Sequence, residues 1–238
     1  MSLLALAAAY SVGAMAADDR GGSCMQDAML VFDASGSMAG TDMNSISPRI
    51  GKVRQALEKV LPEVASERNL GLIVYGPGPY NVCETVDVRL RPAPNSAERI
   101  MAEVNAVSPA GRTPLTTGVR TAAEVLGYKS RAATIVLITD GEETCGGDPC
   151  ALAQKLKAEG QATTVHVIGY KDKLAIKGPF GSRCLADTTG GEYVAVETTD
   201  QLVAALHKAL GCPFITQRRV APQPAILQAA LSSRSQAR

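Results

Sequence analysis

The 238-residue chain has no tryptophan, only two histidines, and 4% aromatic residues. So few flat π-faces leave little material for the stacking platforms that grip single-stranded nucleic acid, or for aromatic-lined sugar grooves. Of the histidines, His166 sits inside an apolar run and His207 on the last helical pattern, so histidine-based catalysis has no constellation to use. Charge of one sign is also lacking: 24 Lys+Arg stand against 23 Asp+Glu, without a long run of either. Duplex binding needs a basic excess, and disorder needs high net charge with few apolar residues, so both classes recede. No P-loop or G-x-G-x-x-G follows an apolar run, and Ser37 has Ser35 and Ala39 where a serine-hydrolase elbow needs glycines.

What is present is apolar material, 46% of the chain, enough for one generous domain burying ~70% of its unfolded surface. Residues 1–17 are almost entirely small and apolar, and Ala14-Met15-Ala16 offers a small-x-small cleavage pattern before Asp18. A signal peptide is expected there, and with it a periplasmic or secreted product with no integral membrane segment once the leader is removed. From Pro213 onward there are four Arg and no acid, leaving Met1–Cys212 with a net charge of −3; 213–238 reads as a flexible basic tail, with a short helix over Ala225–Leu231.

Six cysteines in such a chain fit an oxidising compartment. Cys145 and Cys150 frame a Gly-Gly-Asp-Pro turn and are expected to close on each other; Cys24 and Cys212 flank the folded body; Cys83 is left with Cys184 by elimination. A zinc site would need close pairs on both arms, and one loose pair exists.

Short continuous apolar runs end at Asp33, Tyr75, Thr139-Asp140 and Gly169, and another spans Tyr193–Val196. Such runs read as buried parallel strands. Helical spacing appears between them, at Ile50–Leu61, Leu115–Leu126, Ala151–Ala158 and Leu202–Leu210. Glu84–Arg91 alternates Val86, Val88 and Leu90 with polar residues, which predicts an antiparallel edge strand with one wet face. The expected architecture is α/β, a Rossmann-like three-layer α/β/α sandwich over 24–212, its sheet mostly parallel with one antiparallel edge strand.

Ligands of open α/β sheets bind outside the carboxyl ends of the strands. Just beyond those ends stand Asp33-Ala34-Ser35-Gly36-Ser37, Gly111-Arg112-Thr113-Pro114-Leu115 and Asp140-Gly141-Glu142-Glu143. Two acids and three hydroxyls are thus expected at one end of the sheet. Asp33-x-Ser35-x-Ser37, Thr113 within Gly-x-Thr-Pro-Leu, and Asp140-Gly resemble the metal-ion-dependent adhesion site of von Willebrand factor A domains. Residues 140–150, ending in Asp148-Pro149-Cys150, further resemble exported bacterial members of that family.

The resemblance implies a binding domain, not an enzyme, that coordinates Mg²⁺ or Mn²⁺ through Asp33, Ser35, Ser37, Thr113 and Asp140. A carboxylate from a partner protein would complete the site. Hard divalent ions prefer six oxygens and keep waters readily. Ser35 and Ser37 would bind directly and Thr113 directly or through water, with both aspartates acting mostly through water and hydrogen bonds. Two other readings stand beside this one. A Mg²⁺-dependent phosphate-ester hydrolase would use Asp33 as nucleophile, although Ser35 occupies the place of its second acid and no matching Lys is evident. In a structural domain with a vestigial site, the same residues would cap helices and satisfy turns. Glu142 and Glu143 are expected in a solvated loop, and Arg112 beside Thr113 is a candidate for steering an anionic partner.

Overall fold

A computed structural model describes residues 26–42, 46–170 and 181–211. Residues 1–17, the tail 213–238 and the Cys24–Cys212 pairing lie outside the described residues. Six strands form one sheet: β1 (Ala28–Asp33), β2 (Leu70–Tyr75), β3 (Val86–Ala93), β4 (Ala132–Thr139), β5 (Ala162–Tyr170) and β6 (Tyr193–Val196). Their order is β3-β2-β1-β4-β5-β6, parallel throughout except for the β2/β3 pair. The helices are α1 (Arg49–Glu67), α2 (Ala97–Ala106), α3 (Leu115–Leu126), α4 (Pro149–Glu159), α5 (Arg183–Thr189) and α6 (Thr199–Leu210).

The continuous apolar runs follow from burial on both faces. In β1, Leu30 and Phe32 join Leu57 and Leu61 of α1 and Leu202 and Leu206 of α6 in one core. Met29 and Val31, pointing the other way, join Val119 of α3, Leu152 and Leu156 of α4 and Leu185 of α5 in a second. The three-layer α/β/α sandwich with an antiparallel edge strand is therefore observed. Two helices escaped the periodicity reading, α2 and α5, and both are short, with two and three buried residues.

The edge strand departs from the expected single wet face. Tyr75 pairs with Val86 and Ile73 with Val88, whereas Leu72 pairs with Leu90 across a register shift. Cross-strand partners share a face, so this irregularity sends Val86 against the α3 core and Leu90 against the α1 core, leaving Val88 39% exposed. Gly71 makes room for the distorted strand, since a Cβ there would lie 2.7 Å from the Leu90 carbonyl oxygen.

At the amino end of the parallel strands, the buried Arg68 donates to the carbonyls of Leu210 (3.1 Å) and Gln26 (3.0 Å). It thereby joins the end of α6 to the residues leading into β1.

Both described disulfides depart from the expected pairing. Cys83 bonds Cys145 (Cα–Cα 5.6 Å) and Cys150 bonds Cys184 (Cα–Cα 5.3 Å), in place of Cys145–Cys150 and Cys83–Cys184. The local-loop argument failed because Asp148 caps α4, its carboxylate accepting from Ala151 N at 2.9 Å, which makes Cys150 a first-turn helical residue. Helix α4 packs on α5, which carries Cys184, while Cys145 stays in the loop facing the β2–β3 connection. With all four sulfurs committed, no thiolate remains among them for zinc.

Candidate metal centre

β1 lies between β2, reached through α1, and β4, reached by a crossover that includes α3 on the opposite face. The chain thus leaves β1 and β4 toward opposite faces, and an open crevice forms at their carboxyl ends. Asp33 ends β1 and Asp140 follows β4. The loop carrying Thr113 is laced to the ends of β1 and β2 by backbone bonds: Ala110 N to Ala34 O (3.2 Å) and Gly36 N to Gly111 O (2.9 Å) beyond β1, and Gly111 N to Gly76 O (2.7 Å) beyond β2. Only glycines allow this approach. A Cβ on Gly111 would sit 2.6 Å from Gly76 O, and Gly76, at φ +89°, would place one 2.6 Å from Ser35 N.

Asp33 is fully buried, and both its oxygens are engaged: Ser35 N donates to Oδ1 (2.8 Å) and Thr139 Oγ1 to Oδ2 (2.6 Å). Burial, reinforced by the nearby charge of Asp140, raises its pKa from 3.8 to about 6 against the opposing effect of these hydrogen bonds. Ser37 Oγ donates to Asp140 Oδ1 (2.6 Å) and lies 3.0 Å from Ser35 Oγ. Because Ser37 gives its proton to Asp140, the shared hydrogen comes from Ser35, and the proton chain runs Ser35 to Ser37 to Asp140. Both hydroxyls keep lone pairs for an incoming cation. Thr113, 5% exposed, is fixed through its backbone: Thr113 N donates to Thr144 Oγ1 (2.8 Å) and Thr144 N returns to Thr113 O (3.1 Å).

Ser35, Ser37 and Thr113 line a cleft of about 530 Å³ together with Tyr80, Arg112 and Glu142. Among the described residues no group of three His, Cys, Asp or Glu could hold a metal, so any ion here depends on hydroxyls. The donor set fits a small hard cation. Adjacent ligands of an octahedron at 2.0–2.1 Å lie about 3 Å apart, which matches the 3.0 Å between Ser35 Oγ and Ser37 Oγ. The five expected site residues are brought to one end of the sheet, Asp140 accepting from the Ser37 hydroxyl and Asp33 from the Ser35 backbone amide.

Three features were not read from the sequence. Arg49, the first residue of α1, donates through Nη1 to Asp140 Oδ2 (2.7 Å) and through Nε to Asp42 Oδ1 (3.5 Å). Lys52 and Tyr170 also bind Asp42. Only the helical spacing of Arg49 and Lys52 hinted that both lie on one edge of α1. Tyr80, 83% exposed, rims the cleft from the β2–β3 loop, which Cys83–Cys145 fastens to the opposite wall.

The third is a correction. Glu142 is exposed at the cleft, but Glu143 is 7% exposed and accepts from Thr116 N (2.8 Å) and Cys145 N (2.7 Å). Its carboxylate satisfies the open amino end of α3, immediately after Thr113. Glu143→Ala orphans two amide donors and is expected to cost about 3 kcal/mol in urea unfolding. Glu142→Ala should leave that midpoint unchanged. The histidines stay away from the cleft, His166 accepting from Glu192 N and His207 facing Glu63.

Residues 28–143 match the family model of the von Willebrand factor type A domain. An uncharacterised Bacillus subtilis protein, YwmD, is 29% identical over 75% of this chain and 82% of its own length. Among solved structures, an aerotolerance-related membrane protein from Bacteroides fragilis is similar at 20% identity and TM-score 0.56, over 78% of this chain and 98% of that one. The vWF domain of the type V pili tip protein Mfa5 from Porphyromonas gingivalis is similar at 13% identity and TM-score 0.58, over 78% and 93%.

Proposed function

We propose that the chain carries a von Willebrand factor type A domain, matched over residues 28–143, that binds a divalent cation, Mg²⁺ or Mn²⁺, at Ser35, Ser37 and Thr113 and uses it to hold a carboxylate of a partner protein. The observation that carries this reading is the 3.0 Å pair of serine hydroxyls whose protons are directed toward Asp140. The cation would supply a Lewis-acidic position for an anionic ligand, as neutral hydroxyl donors do little to quench its charge. Asp33 and Asp140 orient the donors, Asp33 through Ser35 N and Asp140 through Ser37 Oγ. Structures of similar fold include a pilus tip protein and a pilus adhesin, which favours a protein as the ligand, and the two disulfides support an exported, oxidised setting. No helix among the described residues is long and apolar enough to cross a membrane.

The hydrolase alternative needs Asp33 as a nucleophile. Its full burial, with a donor on each oxygen, withdraws it from in-line attack.

The test is calorimetry and thermal unfolding of the oxidised protein with Mg²⁺ and Mn²⁺. At about 100 times Kd a native-state ligand adds about 2.7 kcal/mol. Ser35→Ala is expected to lose that gain, together with metal-dependent capture of an acidic partner. No heat and no shift at millimolar metal in the parent protein would reduce the reading to a structural domain.

A further inference from the structure

Arg49 stands out among the charged side chains at this end of the sheet because its fixed positive charge is paired directly with Asp140, one of the residues behind a site proposed for a cation. Its Nη1 lies 2.7 Å from Asp140 Oδ2, and the Asp140 side chain is fully buried. The guanidinium is itself held by Asp42 at 3.5 Å, and the Arg49 backbone is fixed by its amide, which donates to Gly40 O at 2.9 Å. The hydrogen bond to Asp140 keeps Arg49 above its ordinary pKa, so the charge persists at all working pH. The second carboxylate, Asp42, is already paired with Lys52 and cannot neutralise it in full.

Both oxygens of Asp140 are therefore occupied, Oδ1 by Ser37 and Oδ2 by Arg49. Around the cleft the fixed charges are the buried carboxylates of Asp33 and Asp140, the guanidinium of Arg49, and the exposed Glu142 and Arg112, which offset each other, one negative charge in sum. Adding a divalent ion leaves the site with one positive charge in excess, in a pocket where two of the charged groups are shielded from water. Such a site favours an anion as its next occupant, and by linkage the anion strengthens the hold on the cation by the same factor.

We infer that Arg49 is a positioning residue that couples the two ligands: by neutralising Asp140 it weakens cation binding alone and makes tight binding depend on a carboxylate. This rests on the cation-and-carboxylate reading of the same site. It adds that the ion is exchanged readily until an acidic partner docks. Removing the charge would leave the cation-loaded site neutral, so the ion would bind more tightly by itself and the carboxylate less.

The test titrates Mn²⁺ by calorimetry into the full oxidised chain, with and without about 50 mM sodium acetate, the ionic strength matched by sodium chloride so that screening is the same in both. In the parent protein acetate is expected to tighten Mn²⁺ binding several-fold. Arg49→Gln, which keeps a donor for Asp140 without the charge, is expected to bind Mn²⁺ about tenfold tighter in chloride and to lose the acetate effect. Arg49→Lys, which keeps the charge, should restore the parent's dependence on acetate, a rescue that a purely structural role would not produce. Unfolding midpoints in EDTA check each fold, and Arg49→Met replaces the Gln variant if the latter is unfolded. Equal or weaker Mn²⁺ binding by the uncharged variants, or an acetate effect that survives in them, overturns the inference while the proposed function stands. Absence of Mn²⁺ binding by the parent protein overturns both.

Discussion

Replacing Asp33 by Asn is expected to stabilise the cation-free protein at pH 7 while abolishing the stabilisation that Mg²⁺ or Mn²⁺ confers. Asp33 has an ordinary pKa of 3.8 in the unfolded chain and about 6 in the fold. The folded state thus binds the extra proton between these values, and stability is fully present below about 4 and lost as pH rises through about 6. At pH 7 the ionised carboxylate costs about 3 kcal/mol, at 1.36 kcal/mol per pKa unit. In a domain of this size that corresponds to a midpoint gain of roughly 6–12 °C for the variant. Asn can be accommodated: its oxygen accepts from Ser35 N, and Thr139 can turn its hydroxyl proton to Gly141 O, 3.2 Å away, to receive the new amide. Thermal unfolding from pH 4 to 8 in EDTA is the measurement. Parent and variant curves should meet near pH 4 and diverge above it; curves that run parallel would show that the buried carboxylate carries no such cost.

Reduction of the disulfides is expected to have the largest effect on the fold. Cys83–Cys145 and Cys150–Cys184 close separate loops, with sequence separations of 62 and 34. Chain-entropy arguments give about 4 kcal/mol for each, and because the loops do not overlap the two contributions add to first order. Their sum rivals the ~5–15 kcal/mol total stability of an ordinary domain. Urea unfolding with a phosphine reductant should therefore find little or no folded protein at 37 °C. The two bridges differ in what else they hold. Cys83→Ser with Cys145→Ser frees the cleft walls and should weaken Mn²⁺ binding as well as stability. The Cys150–Cys184 bond joins α4 and α5 only, so Cys150→Ser with Cys184→Ser should lower stability while leaving Mn²⁺ affinity unchanged. Equal loss of affinity in both double variants would mean that the cleft depends on global stability and not on its own fastening.

The sheet was legible because its information is local: each buried parallel strand is an apolar run, and each run ends on the residue that faces the crevice. Asp33, Ser35, Ser37 and Asp140 could be placed for that reason, since a strand end fixes where the next few side chains stand. Thr113 was legible only through its motif, because the backbone bonds that carry it to β1 and β2 come from Ala110, Gly111 and Gly76, residues far apart in sequence. Long-range side-chain pairs left no such trace. Arg49 meets Asp140 across 91 residues, and no periodicity encodes that meeting. Glu143 and its neighbour Glu142 look alike in sequence and differ entirely in burial, because the amino end of α3 passes beside one and not the other. The disulfides failed by the same logic: proximity along the chain suggested Cys145–Cys150, whereas helix capping by Asp148 placed Cys150 in the first turn of α4, against α5 and its Cys184.

Arg68 gives the domain a polarity. By gripping Leu210 and Gln26 together it brings the two ends of the described residues side by side, at the pole opposite the cleft. The six residues of β1 separate that pole from Asp33 by about 20 Å. The crevice therefore faces away from the pole at which both ends of the domain lie. The same closeness makes the domain a suitable insert: spliced into a surface loop of a host protein, it would ask the host to part by only a short gap.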